Sequence, residues 1–256
     1  MMDQSYWSRI DVVEASRNFV CIRLATYEDA EEVKFLTRIF RGRSGQLENT
    51  VFALLDSDGK TRLSRTGRSP DFAYWGASSF VKGLNKIARD KKSEKKRYSD
   101  KSLPLVKNVS LGLNVASCDG IQMIVVAGEN EKMVDELSQK ALPLAWNDKV
   151  GGQFVFVVTN NASDLKPLGI QKIENGIYVV NPGKFGMSGK IVAKFDENFD
   201  TGQAEQKLTE LAKNYSVTKN YRQHIQSGIR QGIEWKSQTP VTDQESLRAK
   251  NRARRR

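Results

Sequence analysis

The sequence predicts an α/β protein made of two successive mixed segments and a basic C-terminal extension. Three observations carry that prediction. Short, nearly continuous apolar runs, FVCIRLA (19–25), GIQMIVVAG (120–128) and GGQFVFVVTN (151–160), have the composition of strands buried on both faces. Between and after them lie stretches with apolar residues at helical spacing. Two further pairs of extended runs are each joined by a turn, Asp-Ser-Asp-Gly in one case and Asn-Pro-Gly in the other.

The elements follow in order. Residues 5–17 place Trp7, Ile10 and Val13 at helical spacing, and 19–25 follows as a buried strand. YEDAEEVKFLTRIF (27–40) is an amphipathic helix with a Val33, Leu36, Phe40 stripe, its acidic start and basic end matching the helix dipole. NTVFALL, DSDG and KTRLSRTG form a hairpin, and a helix runs from about Ala73 to 90 with Phe80, Leu84 and Ile87 facing the sheet. The aromatic residues Phe72, Tyr74, Trp75 and Phe80 are expected to pack rather than to stack on bases.

Residues 91–103 break all periodicity, and 91–108 is read as a basic linker. A second segment, 109–215, then reads strand 120–128, helix 129–148 ended or kinked by Pro143, strand 151–160, short helix 163–173, hairpin 175–196 and helix 201–215. The remainder, 216–256, reads as a helical or disordered basic tail, with one helix over 217–231 and a capping box from Thr242 to Glu245.

The 256 residues suffice for one large or two ordinary domains, and 39% hydrophobic content supplies real cores. No run of 18 apolar residues marks a membrane span. MMDQSYWSRIDVV lacks the basic start and long apolar centre of a signal peptide. The expectation is therefore a cytoplasmic protein as written, exported if the true start lies upstream of Met1.

The net charge of +11 invites a nucleic-acid reading, but its placement narrows it. Residues 89–101 carry a net +4 and 248–256 a net +6, so the body between them is nearly neutral. Such runs are solvated and make weak, salt-sensitive contacts with nucleic acid or anionic surfaces. Two distant cysteines, Cys21 and Cys118, exclude a disulfide framework and a cysteine zinc site. With His224 the only histidine, neither a His-cluster metal site nor a Ser-His-Asp arrangement is expected, and no cofactor or metal is assigned. Cys21, between Val20 and Ile22, reads as a small buried hydrophobe, and Cys118 as an inert thiol whose pKa Asp119 raises.

FVCIRLATYEDAEEVKFLTRIF with TVFALLDSDGKTRLSRTG resembles a strand, helix and hairpin of the thioredoxin-like superfamily, and 120–215 resembles it through GIYVVNPGKFGMSGKIVAKF. The resemblance implies two thioredoxin-like domains of order β-α-β-α-β-β-α, the first (1–90) missing its initial strand. It also implies a C-x-x-C at a helix N-terminus, where the dipole stabilises a thiolate. That place in the second domain is Gly128-Glu129-Asn130-Glu131, without cysteine. The family's cis-proline positions correspond to Asn49–Thr50 and Asn175–Gly176, where trans peptides are expected.

The resulting expectation is a non-catalytic binding or scaffold protein with a protein partner. One alternative is a thiol-disulfide oxidoreductase whose C-x-x-C lies upstream, and another a protein that contacts nucleic acid through linker and tail. RGRSG (41–45) and RTGRS (65–69) make Arg41, Arg43, Arg65 and Arg68 candidates for an anion or acidic-partner site. The competing reading pairs the local arginines with Glu48, Asp56 or Asp58 at the surface.

Overall fold

The computed structural model describes residues 3–7, 9–91, 102–147, 149–217, 221–233 and 237–254. The chain divides into two compact units: residues 98–234, and residues 1–97 together with 235–256.

The 98–234 unit is α/β, built on one open four-stranded sheet. Its elements are α4 (Val109–Asp119), β1 (Gln122–Ala127), α5 (Glu131–Ala145), β2 (Phe154–Thr159), a 3-10 segment (Ala162–Leu168), β3 (Gly176–Pro182), β4 (Gly189–Asp196), α6 (Thr201–Asn214) and α7 (Tyr221–Arg230). Strand order is β2-β1-β3-β4. β1 and β2 run parallel, as a helical crossover through α5 requires, and β3 pairs antiparallel with both β1 and β4.

Alternation along β1 sorts its side chains between two cores. Ile124 and Val126 face α5 and α6, with Leu137, Phe156, Val179 and Leu208. Met123 and Val125 face α4 and the 3-10 segment, with Leu113, Val157 and Leu165. Each fully buried side chain of this kind contributes about 1.5–3 kcal/mol. Gly112 lets α4 lie close to the sheet, because a Cβ there would sit 2.5 Å from Val157 Cγ2.

The sequence expectation for this unit needs four corrections. α4 has no counterpart in the sequence expectation, which assigns no element to 109–119; Asn108 caps it, accepting from Leu111 N at 2.9 Å. Apolar residues lie on all sides of it, so no single helical stripe marks it. The expected linker 91–108 ends earlier: Leu103 is buried, and Leu105 bridges Phe156 in parallel beside β2. Residues 92–101 of that linker lie outside the described residues. Finally, Asn181 and Pro182 belong to β3, and the hairpin turns instead over 183–188. Pro143 does not end α5, which continues to Ala145.

The second unit is mainly helical: a π-helical turn (Asp3–Trp7), α1 (Ile10–Ser16), α2 (Ala30–Ile39), a 3-10 turn (Pro70–Phe72), α3 (Ala77–Lys91) and α8 (Gln244–Arg254). Among the described residues it holds no extended strand, only the isolated bridges Phe52–Gly67 and Leu55–Arg62. The expected strand at 19–25 is absent; Val20 and Ile22 are exposed because no neighbouring strand covers them. The 51–67 segment does turn back on itself, with paired bonds between Phe52 and Gly67 and a turn at Asp56–Gly59.

Phe80 centres the main core of this unit, with the rings of Tyr6, Trp7, Phe52 and Tyr74 at 5.4–6.0 Å. Phe80 and Leu84 are buried as expected, but against Val12 and Phe52 rather than a sheet. Trp75 is 96% exposed and Phe72 half exposed, so half of the expected aromatic cluster does not pack. The buried side of the first helical stretch is Tyr6, Val12 and Ala15, while Ile10 is exposed.

The segment expected as a tail, 216–256, is divided: α7 belongs to the sheet-bearing unit and 235–256 to the helical one. Asp243, not Thr242, caps α8, accepting from Ser246 N at 2.8 Å.

Candidate functional site

Two places answer to the residues singled out in the sequence. The first is the N-terminal turn of α5, where the resemblance puts its redox motif. Gly128 continues β1 and donates its N–H to Thr159 O at 3.2 Å. A Cβ on Gly128 would lie 2.8 Å from Val134 N, so the turn is tight. Asn130 caps the helix, accepting from Met133 N at 3.0 Å.

Asn175 reaches the same turn, accepting from Glu129 N at 2.9 Å and donating to Glu197 Oε2 at 3.1 Å. Thus Gly128–Glu131 and Asn175–Gly176, which the sequence could only place separately, meet across one hydrogen bond. Asparagine oxygens occupy two of the amides that would otherwise face a thiolate or anion. Beside them Glu174 pairs with Lys194, whose ammonium bond, and then its charge, hold the Glu174 carboxyl below the usual range. The Tyr178 hydroxyl donates to Glu174 O at 2.8 Å.

The second place is the arginine-rich surface, which the structure splits into two. Arg62 donates to Arg38 O at 2.9 Å and Arg41 to Thr37 O at 3.3 Å, so both guanidiniums sit on the carbonyl end of α2. That is the end the helix dipole makes negative. With Thr66 they line a shallow depression. Arg68 lies apart from them, on Glu48 Oε2 at 2.9 Å and Asn49 Oδ1 at 2.9 Å. Thr50 Oγ1 donates to the same Asn49 oxygen at 3.3 Å. Arg43 and Arg65 are exposed, and no ion pair to either is seen among the described residues.

Arg62 therefore does not pair with the acids of the hairpin turn. Asp56 binds Lys91 at 2.7 Å. Asp58 accepts from Thr61 Oγ1 and from the amides of Thr61 and Lys60, which together pull its pKa to about 2.

Both cysteines are exposed as residues and neither is in a disulfide. Cys21 is not the buried strand residue the sequence suggests, although burial around its sulfur still pushes the thiol pKa up. No cis peptide bond occurs among the described residues, so Asn49–Thr50 and Asn175–Gly176 are trans. His224 packs against the Phe185 ring at 4.8 Å. Among the described residues no group of three or more His, Cys, Asp or Glu could hold a metal ion.

Sequence reasoning missed Asn175 as a partner of the α5 turn, and Tyr27 and Asp243 entirely. The first had a signal, an Asn-Gly step before a strand. The second pair had none, because their contact spans 216 residues. Comparisons with protein-family models, curated proteins and solved structures return no match.

Proposed function

We propose that the 98–234 unit is a degenerate thioredoxin-like domain and that the chain works as a non-catalytic binding or scaffold protein. Support for the domain reading is its order, a parallel β1-α5-β2 unit, the 3-10 segment, the β3–β4 hairpin and α6, which follows β-α-β-α-β-β-α with the 3-10 segment in place of the second helix. The helical unit, without an extended strand among its described residues, lends no such support, and the reading is confined to one domain.

The observation that carries the functional reading is the α5 turn. Redox chemistry there needs a thiolate at the helix N-terminus with free amides around it. Here the turn is Gly128-Glu129-Asn130-Glu131, and Asn130 and Asn175 already take the amides of Met133 and Glu129. Glutamates beside such a position oppose a thiolate or bound anion. A protein partner is the ligand class that fits, since the arginine-bearing surface and the exposed Trp75 offer contact rather than a reaction centre.

The test is an insulin-reduction assay at protein excess, with the full chain and a C21S/C118S double variant. We expect no turnover above the dithiol background for either protein. Cysteine-dependent turnover by the unsubstituted chain would overturn this reading.

A further inference from the structure

Residues 237–243 lie on the helical unit without helix or strand, bent at Gln238 and Thr239. Their contacts have the character of a bound peptide. Gln238 N and Thr239 N both donate to Tyr27 O, at 2.9 and 3.2 Å. Gln238 Oε1 accepts from Ala30 N at 3.1 Å, at the start of α2. Val241, half-buried, packs against the apolar cluster of Tyr27, Leu36 and Leu47. Thr242 Oγ1 donates to Leu47 O at 2.7 Å. Asp243 N donates to the Tyr27 hydroxyl at 3.1 Å, and that hydroxyl donates to Leu47 O at 3.3 Å.

Asp243 is 4% exposed. Burial opposes its ionised form, but the Ser246 N–H that it accepts at 2.8 Å, the charge of Arg68 and the Asn49 backbone hold its carboxyl below the usual range. Main-chain bonds together with one aliphatic anchor are how short protein segments are recognised in trans. The residues that receive them are α2 with its preceding turn, the 47–49 loop and Arg68, all more than 160 positions away in sequence.

We propose that this surface is a peptide-binding groove, closed in cis by residues 238–243. The ligand class it takes is a protein segment with a branched aliphatic residue, a hydroxyl residue and an acid in succession, as in Val241-Thr242-Asp243. The chain's own segment is then a tethered competitor. Tethering gives it an effective concentration on the order of millimolar, so a free peptide enters only when the resident segment is weakened. This inference does not depend on the reading of the α5 turn.

The test uses the full chain and a fluorescein-labelled peptide of residues 237–248, followed by anisotropy. Val241→Asp puts a charge into the apolar cluster and releases the resident segment. We expect the V241D chain to bind the peptide at least ~10-fold more tightly than the unsubstituted chain. Adding Arg68→Ala to V241D, or using a peptide that carries the same Val-to-Asp change, should abolish the gain. A folded V241D chain that binds no better than the unsubstituted one overturns the proposal.

Hydrogen exchange on the unsubstituted chain decides the matter even where V241D fails to fold. The amides of Gln238, Thr239 and Asp243 should exchange through local opening, well ahead of Leu84 in α3. Exchange of all four together, in one global event, would make the segment an integral part of the core and overturn the proposal.

Discussion

Tyr6 shows how one side chain ties the start of the helical unit to its middle. Its hydroxyl donates to Asp71, whose other carboxylate oxygen accepts from Ser69 Oγ at 3.1 Å. Burial, then that hydrogen bond, then the carboxylate charge push the Tyr6 pKa up to about 12. Folding therefore favours the protonated phenol. Its contribution is complete below the unfolded value near 10 and is lost as pH rises through about 12. Denaturant titrations across that range should show stability falling in the unsubstituted chain and falling less in Tyr6→Phe. At neutral pH the same substitution should cost roughly 1 kcal/mol, the worth of one buried hydrogen bond. Neither partner was visible as such in the sequence, because a pair 65 residues apart leaves no local pattern.

At the scale of elements, what could be read was what local pattern fixes. The runs at 120–128 and 151–160 are β1 and β2 because an apolar run flanked by glycine leaves few alternatives. α2 and α6 followed from their stripes, and their capping residues, Asp29 and Asp200, lie where the first turn needs an acceptor. FVCIRLA has the same apolar character but lies exposed, since a strand exists only where another strand receives its bonds. α4 went unread for the opposite reason: a helix buried on most sides has no polar face to set its period. The α5 turn was half legible, its missing cysteines from sequence and its asparagine closure only from structure. Asn130→Ala should lower the stability of the sheet-bearing unit by about 1 kcal/mol, as loss of an N-cap does. Asn175→Ala should cost no more than that, since the exposed Glu129 amide then exchanges its asparagine partner for water. Thermal melts of the two single variants and the double variant measure both, and their departure from additivity reports how far the two caps act together.

For the molecule as a whole, charge and connectivity are the informative features. Nearly all of the net +11 resides in 89–101 and 248–256. Within the second run Arg248 is exposed on α8. The nucleic-acid reading of that charge predicts retardation of a generic duplex at low salt, lost when 248–256 are removed. With six basic residues gone, the slope of log affinity against log salt should flatten by up to about 5. Unchanged retardation would exclude the tail as the binding element. The absence, among the described residues, of any helix long and apolar enough to cross a membrane fits the expectation of no membrane span.

Connectivity has a consequence in time. The helical unit is finished by residues 237–247, yet the 98–234 unit is synthesised in between. At roughly 5–20 residues per second, a ribosome makes α3 about 8–30 s before it makes Val241 and Asp243. During that interval the sheet-bearing unit can complete both of its cores, while Tyr27, Leu36 and Leu47 wait uncovered. The unit begun earlier is thus the later of the two to close.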